Sequence, residues 1–209
     1  EGDMTQTKHP QTDDSARARS QPATLPDWLS LHGQVAVVTG GGTHLGLGMA
    51  TALCELGATV VLLGRRADVV NASASALQAR GFAAHAISAD AADEVGMDKV
   101  VQDIVHRFGH LDVMVCNAGG GVGTAMAPHI AVADLEATLR LNVTTTLVCA
   151  QSAARAMMTT RRGAIITIGS LHATLGSDPW LYAPGYKRST QSYHASKGAI
   201  LNLTRALAC

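Results

Sequence analysis

The sequence predicts an α/β fold, a doubly wound parallel sheet in three layers (α/β/α), from three observations. Apolar strand-like runs alternate with longer stretches of helical period, the pattern of βαβ units. Gly57, Gly81, Gly109 and Gly163 stand just past four of the helical stretches, where a left-handed C-cap favours glycine. The first strand-to-helix junction is rich in glycine, reading Thr39-Gly40-Gly41-Gly42-Thr43-His44-Leu45-Gly46. Right-handed crossovers between parallel strands then wind the sheet.

Taken in order, residues 1 to 30 are expected to be a disordered N-terminal arm. The first 26 are rich in Gln, Thr, Ser, Asp and Pro and offer few large apolar side chains to bury. Trp28, Leu29 and Leu31 are placed to tack the end of that arm onto a single domain covering 31 to 209. Its first strand, 34 to 39, is the continuous apolar run Val35-Ala36-Val37-Val38, as expected of a strand covered on both faces. A helix over 45 to 56 follows the glycines and stops at Gly57. Strands at 58 to 63, 84 to 88, 112 to 116 and 164 to 168 then alternate with helices at 67 to 80, 92 to 108, 132 to 160 and 191 to 208. No repeat of fixed period is present.

Composition narrows the function classes. A chain of 209 residues with 47% hydrophobic content can bury one substantial core and is short for two domains. Lys plus Arg and Asp plus Glu balance at 16 each, so nothing draws it to nucleic acid or an anionic membrane. No apolar run approaches the ~18 residues of a membrane span. Cys54, Cys116, Cys149 and Cys209 are scattered, without C-x-x-C spacing, and read as core thiols of a cytoplasmic protein.

Tyr193 and Lys197, four residues apart in Tyr193-His194-Ala195-Ser196-Lys197, fall on one helix face. A free tyrosine ionises near ~10, so a phenolate at pH 7 costs roughly 4 kcal/mol. An ammonium at about 4 Å and an effective dielectric near 20 contributes on the order of 4 kcal/mol, enough to make Tyr193 a general acid/base. The alternative is a tyrosine and a lysine on a solvated face. The Gly40 to Gly46 turn, between a strand and a helix N-terminus, makes a phosphate cradle, since glycine lets the backbone approach a pyrophosphate. Asn117, Asn142 and Ser170 all stand where a strand ends or a helix starts, and Gly40, Asn117 and Ser170 are expected to converge at the carboxyl edge of the sheet.

These motifs, in this order, resemble those of the short-chain dehydrogenase/reductase family over about residues 33 to 209. Thr39-Gly40-Gly41-Gly42-x-x-Leu45-Gly46 is similar to its sugar-acid (fructuronate/gluconate) dehydrogenases. The resemblance implies a Rossmann-type fold and an NAD(P)-dependent oxidoreductase that interconverts a carbonyl and a secondary alcohol. By that resemblance Tyr193 is the acid/base, Ser170 binds the substrate oxygen, Lys197 holds the nicotinamide ribose with Tyr193, and Asn142 anchors a relay water. It places the cofactor against Thr39, Gly40, Gly42, Thr43, His44, Leu45 and Gly46 of the cradle. Asp90 and Ala91 then lie by the adenine, and Asn117, Ala118 and Gly119 by the adenosine ribose. It further implies a small-molecule substrate, polar and sugar-like, and a homodimer or homotetramer built on the two long helices. Each residue also has a structural alternative: Asn142 kinking its helix, Ser170 in a turn, Asp90 as a cap, Asn117 satisfying loop backbone.

The chain departs from the family in four places. His44 replaces the second glycine of the cradle, facing either a phosphate or solvent. The second strand ends on Gly64-Arg65-Arg66 with no acid for a ribose 2′-hydroxyl, so Arg65 and Arg66 are expected to meet a 2′-phosphate, with NADP(H) favoured and NAD(H) as the alternative. Ser170 and Tyr193 are 23 residues apart, longer than usual. The added segment carries Trp180, Tyr182 and Tyr186 as an expected substrate wall or a satellite cluster anchoring the loop. Finally, the chain stops at Cys209, where family members continue, so the domain is expected to be C-terminally truncated and a weakly active or inactive nucleotide-binding fragment is the rival function. A metal-dependent hydrolase built on His172 and His194 is a third reading, with no metal-ligand spacing behind it.

Overall fold

The computed structural model describes residues 27–209; most of the expected N-terminal arm lies outside them. Residues Leu31–Cys209 form one compact unit. Its strands are β1 (Val35–Thr39), β2 (Thr59–Gly64), β3 (Ala84–Ser88), β4 (Val113–Cys116) and β5 (Ala164–Thr167). The helices are α1 (His44–Glu55), α2 (Ala67–Ala79), α3 (Glu94–Phe108), α4 (Val132–Leu139), α5 (Thr145–Thr160) and α6 (Gln191–Leu207). All strands are parallel, in the order β3-β2-β1-β4-β5. The strand order reverses beside β1, where β1 pairs β2 on one side and β4 on the other, and such a switch point opens a crevice at the carboxyl ends of the strands.

Alternation along the strands divides the core into two layers. Val35, Val37, Val61, Leu63, Met114 and Cys116 face Met97, Val101 and Ile104 of α3 and Val148, Cys149 and Ala153 of α5. Ala36, Val38, Val60, Leu62, Val113 and Val115 face the opposite way, toward Ala50 and Cys54 of α1 and Leu77 of α2. Both faces of β1 are therefore covered, which is why it reads as an unbroken apolar run. Leu31 packs on the second layer, whereas Trp28 is exposed. Cys54, Cys116 and Cys149 are buried as expected, and Cys209 is exposed. The Cys149 thiol is pushed up by its neighbour Cys116 and by burial, so it stays protonated.

Two local features differ from the sequence reading. The expected helix over 132 to 160 contains a π-helical segment at Arg140–Thr144 that joins α4 to α5 and inserts Asn142 into the interior. α5 ends on Arg161, itself left-handed at φ 53°, rather than on Gly163, because the chain must turn at once into β5. β5 is an edge strand with Ile165 and Ile166 partly exposed. Among the described residues no helix is long and apolar enough to cross a membrane.

At the amino edge, buried Asp112 ties three strands together. One carboxylate oxygen accepts from the Val35 N–H at 2.8 Å and meets His110 Nε2 at 3.1 Å; the other accepts from Arg162 at 2.9 and 2.6 Å. Its backbone continues the ladder, donating to Val35 O and accepting from Ala164 N. Asp112→Ala leaves a buried N–H and a guanidinium without their anion, and is expected to lower the unfolding free energy by about 3 kcal/mol, read from the urea midpoint. Arg162 is more than half exposed, so Arg162→Ala is expected to cost about 1 kcal/mol.

Candidate functional site

The carboxyl edge gathers most of the residues singled out in the sequence. A cavity of about 250 Å3 there is lined by Gly40, Arg65, Arg66, Asp90, Ala118 and Gly119 among others, with Ala91 beside Asp90. A second cavity of about 320 Å3 includes Tyr193 and His172 in its lining. A larger one, about 460 Å3, lies between α3 and α5 and contains none of these residues, so size does not identify the chemistry.

The cradle is held by Thr39 and Asn117. The Thr39 hydroxyl accepts from the Asn117 and Ala118 N–H groups at 3.0 and 2.9 Å and donates to Val115 O at 3.2 Å, which saturates it. The Asn117 amide returns the contact, donating to Thr39 O at 2.9 Å and Gly40 O at 3.4 Å. Thr39 is fully buried, so it braces the cradle rather than lining it, a correction to its expected ligand role. Gly42 is likewise turned inward, against Val69 and Val70 of α2. Gly40 adopts φ 64°, and a Cβ on Gly46 would stand 2.1 Å from Gly40 O, so the turn and helix approach each other only as glycines. His44 holds φ 46°, a left-handed conformation uncommon outside glycine, and its side chain is exposed. Thr43 provides no side-chain cap, leaving the first-turn N–H groups of α1 at His44 and Leu45 for an outside acceptor.

Arg65 and Arg66 sit exposed on this groove and pair with no described carboxylate. Asp90 caps the turn before α3 by accepting from Ala92 N at 3.0 Å. The cradle, its uncapped helix and the unpaired arginines suit an anionic dinucleotide.

The second cluster is built on α6. Thr190 caps that helix, its hydroxyl accepting from Tyr193 N at 3.4 Å, which sets Tyr193 in the first turn at the positive end of the helix dipole. Lys197 is buried; its ammonium donates to Ile168 O at 2.6 Å and lies 5.6 Å from the Tyr193 ring centroid. Burial lowers the lysine from its ordinary range. Ser170 follows β5 and its oxygen accepts from His172 N at 3.1 Å, leaving the hydroxyl proton free to donate. Asn142 braces the π segment against both neighbours: it exchanges bonds with Gly120, accepting at 2.9 Å and donating at 2.6 Å, and donates to Ser196 Oγ at 3.1 Å. Its side-chain amide is thus occupied by protein partners.

Of the two expectations for the inserted segment, the substrate wall is not the one its aromatics follow. Trp180 is 93% exposed and Tyr186 73%, and neither lines the cavity beside Tyr193. The short turn at Pro179–Leu181, capped by Asp178, keeps Trp180 outside, while Tyr182 and Tyr186 pair with ring centroids 6.3 Å apart. The lining of that cavity includes Arg188, which the sequence reading missed, and His172, which it named only for a metal. The signal available was the charge of Arg188 three residues before the α6 start. His172 stacks on His194 at 4.3 Å, and burial together with the His172 ring lowers His194 below the ordinary imidazole range. Among the described residues no group of three His, Cys, Asp or Glu side chains is placed to hold a metal.

The family model described as short chain dehydrogenase matches residues 34–209. The chain is 32% identical to galactitol 2-dehydrogenase of Rhizobium johnstonii, covering 85% of this chain and 66% of that protein. It is 32% identical to gluconate 5-dehydrogenase of Gluconobacter oxydans, covering 88% and 67%. Among solved structures, a gluconate 5-dehydrogenase from Burkholderia cenocepacia in complex with NADP and tartrate superposes with TM-score 0.76 at 29% identity over 86% of this chain and 66% of that one. NAD+-bound xylitol dehydrogenase superposes with TM-score 0.74 at 27% identity, over 85% and 66%. The chain spans about two thirds of the length of these proteins.

Two glycines on α1 test the cradle with opposite signs. Gly46→Ala drives a Cβ into Gly40 O and the Asn117 amide, and is expected to destabilise by at least ~2 kcal/mol and to weaken dinucleotide binding. Gly48 faces open space, so Gly48→Ala is expected to stabilise by about 0.5–1 kcal/mol; chemical denaturation of both variants reads the difference.

Proposed function

Because the chain belongs to the short chain dehydrogenase family, we propose that it carries the nucleotide-binding and proton-transfer half of a nicotinamide-dependent oxidoreductase acting on a small secondary alcohol or carbonyl. The observation that carries the reading is the placement of Tyr193 and Lys197 on α6, beside the end of β5 and at the same carboxyl edge as the glycine cradle. When bound, the nicotinamide supplies or accepts the hydride. The remaining work falls to the chain's own residues.

In the reducing direction Tyr193 gives its phenolic proton to the substrate oxygen as negative charge develops there. Ser170 donates its free hydroxyl proton to the same oxygen. The phenolate left on Tyr193 is stabilised by the Lys197 ammonium and by the helix N-terminus beneath it. Lys197 uses one donor on Ile168 O, which leaves two for the nicotinamide ribose hydroxyls. Asn142 acts as a positioning residue that fixes α6 against the π segment through Ser196. At the other end, Arg65 and Arg66 take the 2′-phosphate of NADP(H), which is favoured over NAD(H) because no acid competes for the ribose at the end of β2. The reading carries with it a cytoplasmic protein that self-associates as a homodimer or homotetramer.

Tyr193→Phe is expected to lower turnover by about a thousandfold while the dinucleotide dissociation constant stays within about twofold. Gluconate, galactitol and xylitol are the substrates to screen, following nicotinamide absorbance; substantial turnover by the variant would remove Tyr193 as the proton donor. Arg65→Ala is expected to weaken NADPH about tenfold and leave NADH nearly unchanged, since a charge-assisted phosphate contact contributes about 1.5–3 kcal/mol. Equal effects on both dinucleotides in a fluorescence titration would remove the stated basis of the preference.

A further inference from the structure

The cavity beside Tyr193 has a charge character that the hydride-transfer reading does not use. Its lining includes Arg188, His172, Ser189 and Thr190, and no acid. Arg188 is half-buried and makes one weak contact, donating from Nη1 to Ser177 O at 3.3 Å. Among the described residues no carboxylate pairs with it, although a guanidinium presents five donors. Beside it, the His172 imidazole makes no described hydrogen bond, and its sealed Nδ1 has no partner at all. Nearby, the Lys197 ammonium adds a second cation, while the Asp134 carboxylate lies against Gly123 of the lining.

Ser177 of the inserted loop contacts both Arg188 and α6. Ser177 accepts from Arg188 through its backbone oxygen and meets His194 Nε2 through its hydroxyl at 2.8 Å, tying the loop to α6 next to Tyr193.

We infer that this cavity takes an anionic substrate, a hydroxy or oxo carboxylate whose carboxylate pairs with Arg188 while the reacting carbon faces Tyr193. The inference rests on the hydride-transfer reading for the identity of the reacting group, but the anion site stands on Arg188 alone. A guanidinium matches the two oxygens of a carboxylate in a bidentate pair, and a neutral polyol of the same length leaves it unpaired. Arg188 is then a specificity-determining residue.

The test compares matched probes on the full chain by calorimetric titration: gluconate beside glucitol, and galactonate beside galactitol, each with and without NADPH. Each acid is expected to bind at least tenfold more tightly than its polyol. Arg188→Leu should abolish that preference while polyol and NADPH affinities stay within about twofold, and Arg188→Lys should keep part of it. Equal binding of acids and polyols, no saturable binding of either acid, or a preference that survives in Arg188→Leu overturns the assignment. The NADPH arm separates the two claims: an acid preference without dinucleotide binding refutes the oxidoreductase reading and leaves the anion site standing. Dinucleotide binding without an acid preference does the reverse.

Discussion

The lock between the ends of β1 and β4 is the constraint on which the rest of the site depends. A single buried hydroxyl, on Thr39, takes two backbone N–H groups from the residues just past β4, and the Asn117 amide closes the loop by returning to Thr39 and Gly40 carbonyls. Without it the switch point would be a gap between two strand ends with unpaired backbone groups, a costly state in an interior. With it, the backbone at Gly40 is fixed in a left-handed turn and α1 is drawn in until Gly46 touches Gly40. The helix N-terminus then points its uncapped N–H groups out of the sheet edge. Affinity for an anion at that edge follows from the lock, because the donors are ordered before any ligand arrives.

A second brace sets the proton chemistry against the first. α6 is attached to β5 by the Lys197 bond to Ile168 O, and by the Thr167–Thr204 hydroxyl pair at 2.7 Å. Asn142, carried inward by the π segment, joins the Gly120 loop to Ser196 on α6. The loop following the cradle lock and the helix carrying Tyr193 are thus connected through one buried amide. A side chain so fully bonded is fixed in position, which makes Asn142 a brace between the two. The same economy of contacts leaves Arg65, Arg66 and Arg188 without a described carboxylate partner, at the two cavities where ligand charge is expected.

Much of this was legible in the sequence because it depends on local rules. The strands are apolar runs, the helices carry the 3.6 period, and the chain between them turns on glycine, so all five strands and the crossovers fall where the pattern puts them. Tyr193 and Lys197 share a face by spacing alone. The π segment was not legible, since one extra residue in a helical turn leaves the apolar period almost unchanged. Nor was the inward role of Thr39, because a threonine after a strand reads the same whether its hydroxyl meets a ligand or a neighbouring strand. The aromatic wall failed for a related reason: Trp180 is apolar enough to suggest a pocket, but the Asp178-capped turn at Pro179–Leu181 leaves it exposed. Arg188 escaped notice because a charge near a helix start is ordinarily solvated.

The most direct test of the central claim, that the lock at the β1 and β4 ends presents a dinucleotide site, is amide hydrogen exchange on the whole chain with and without saturating NADPH. The account predicts slower exchange in the peptides spanning Gly40 to Leu47 and Asn117 to Gly120, with the amino edge around Asp112 unchanged. Protection confined to other segments, or no protection at concentrations that saturate a family relative, would contradict it.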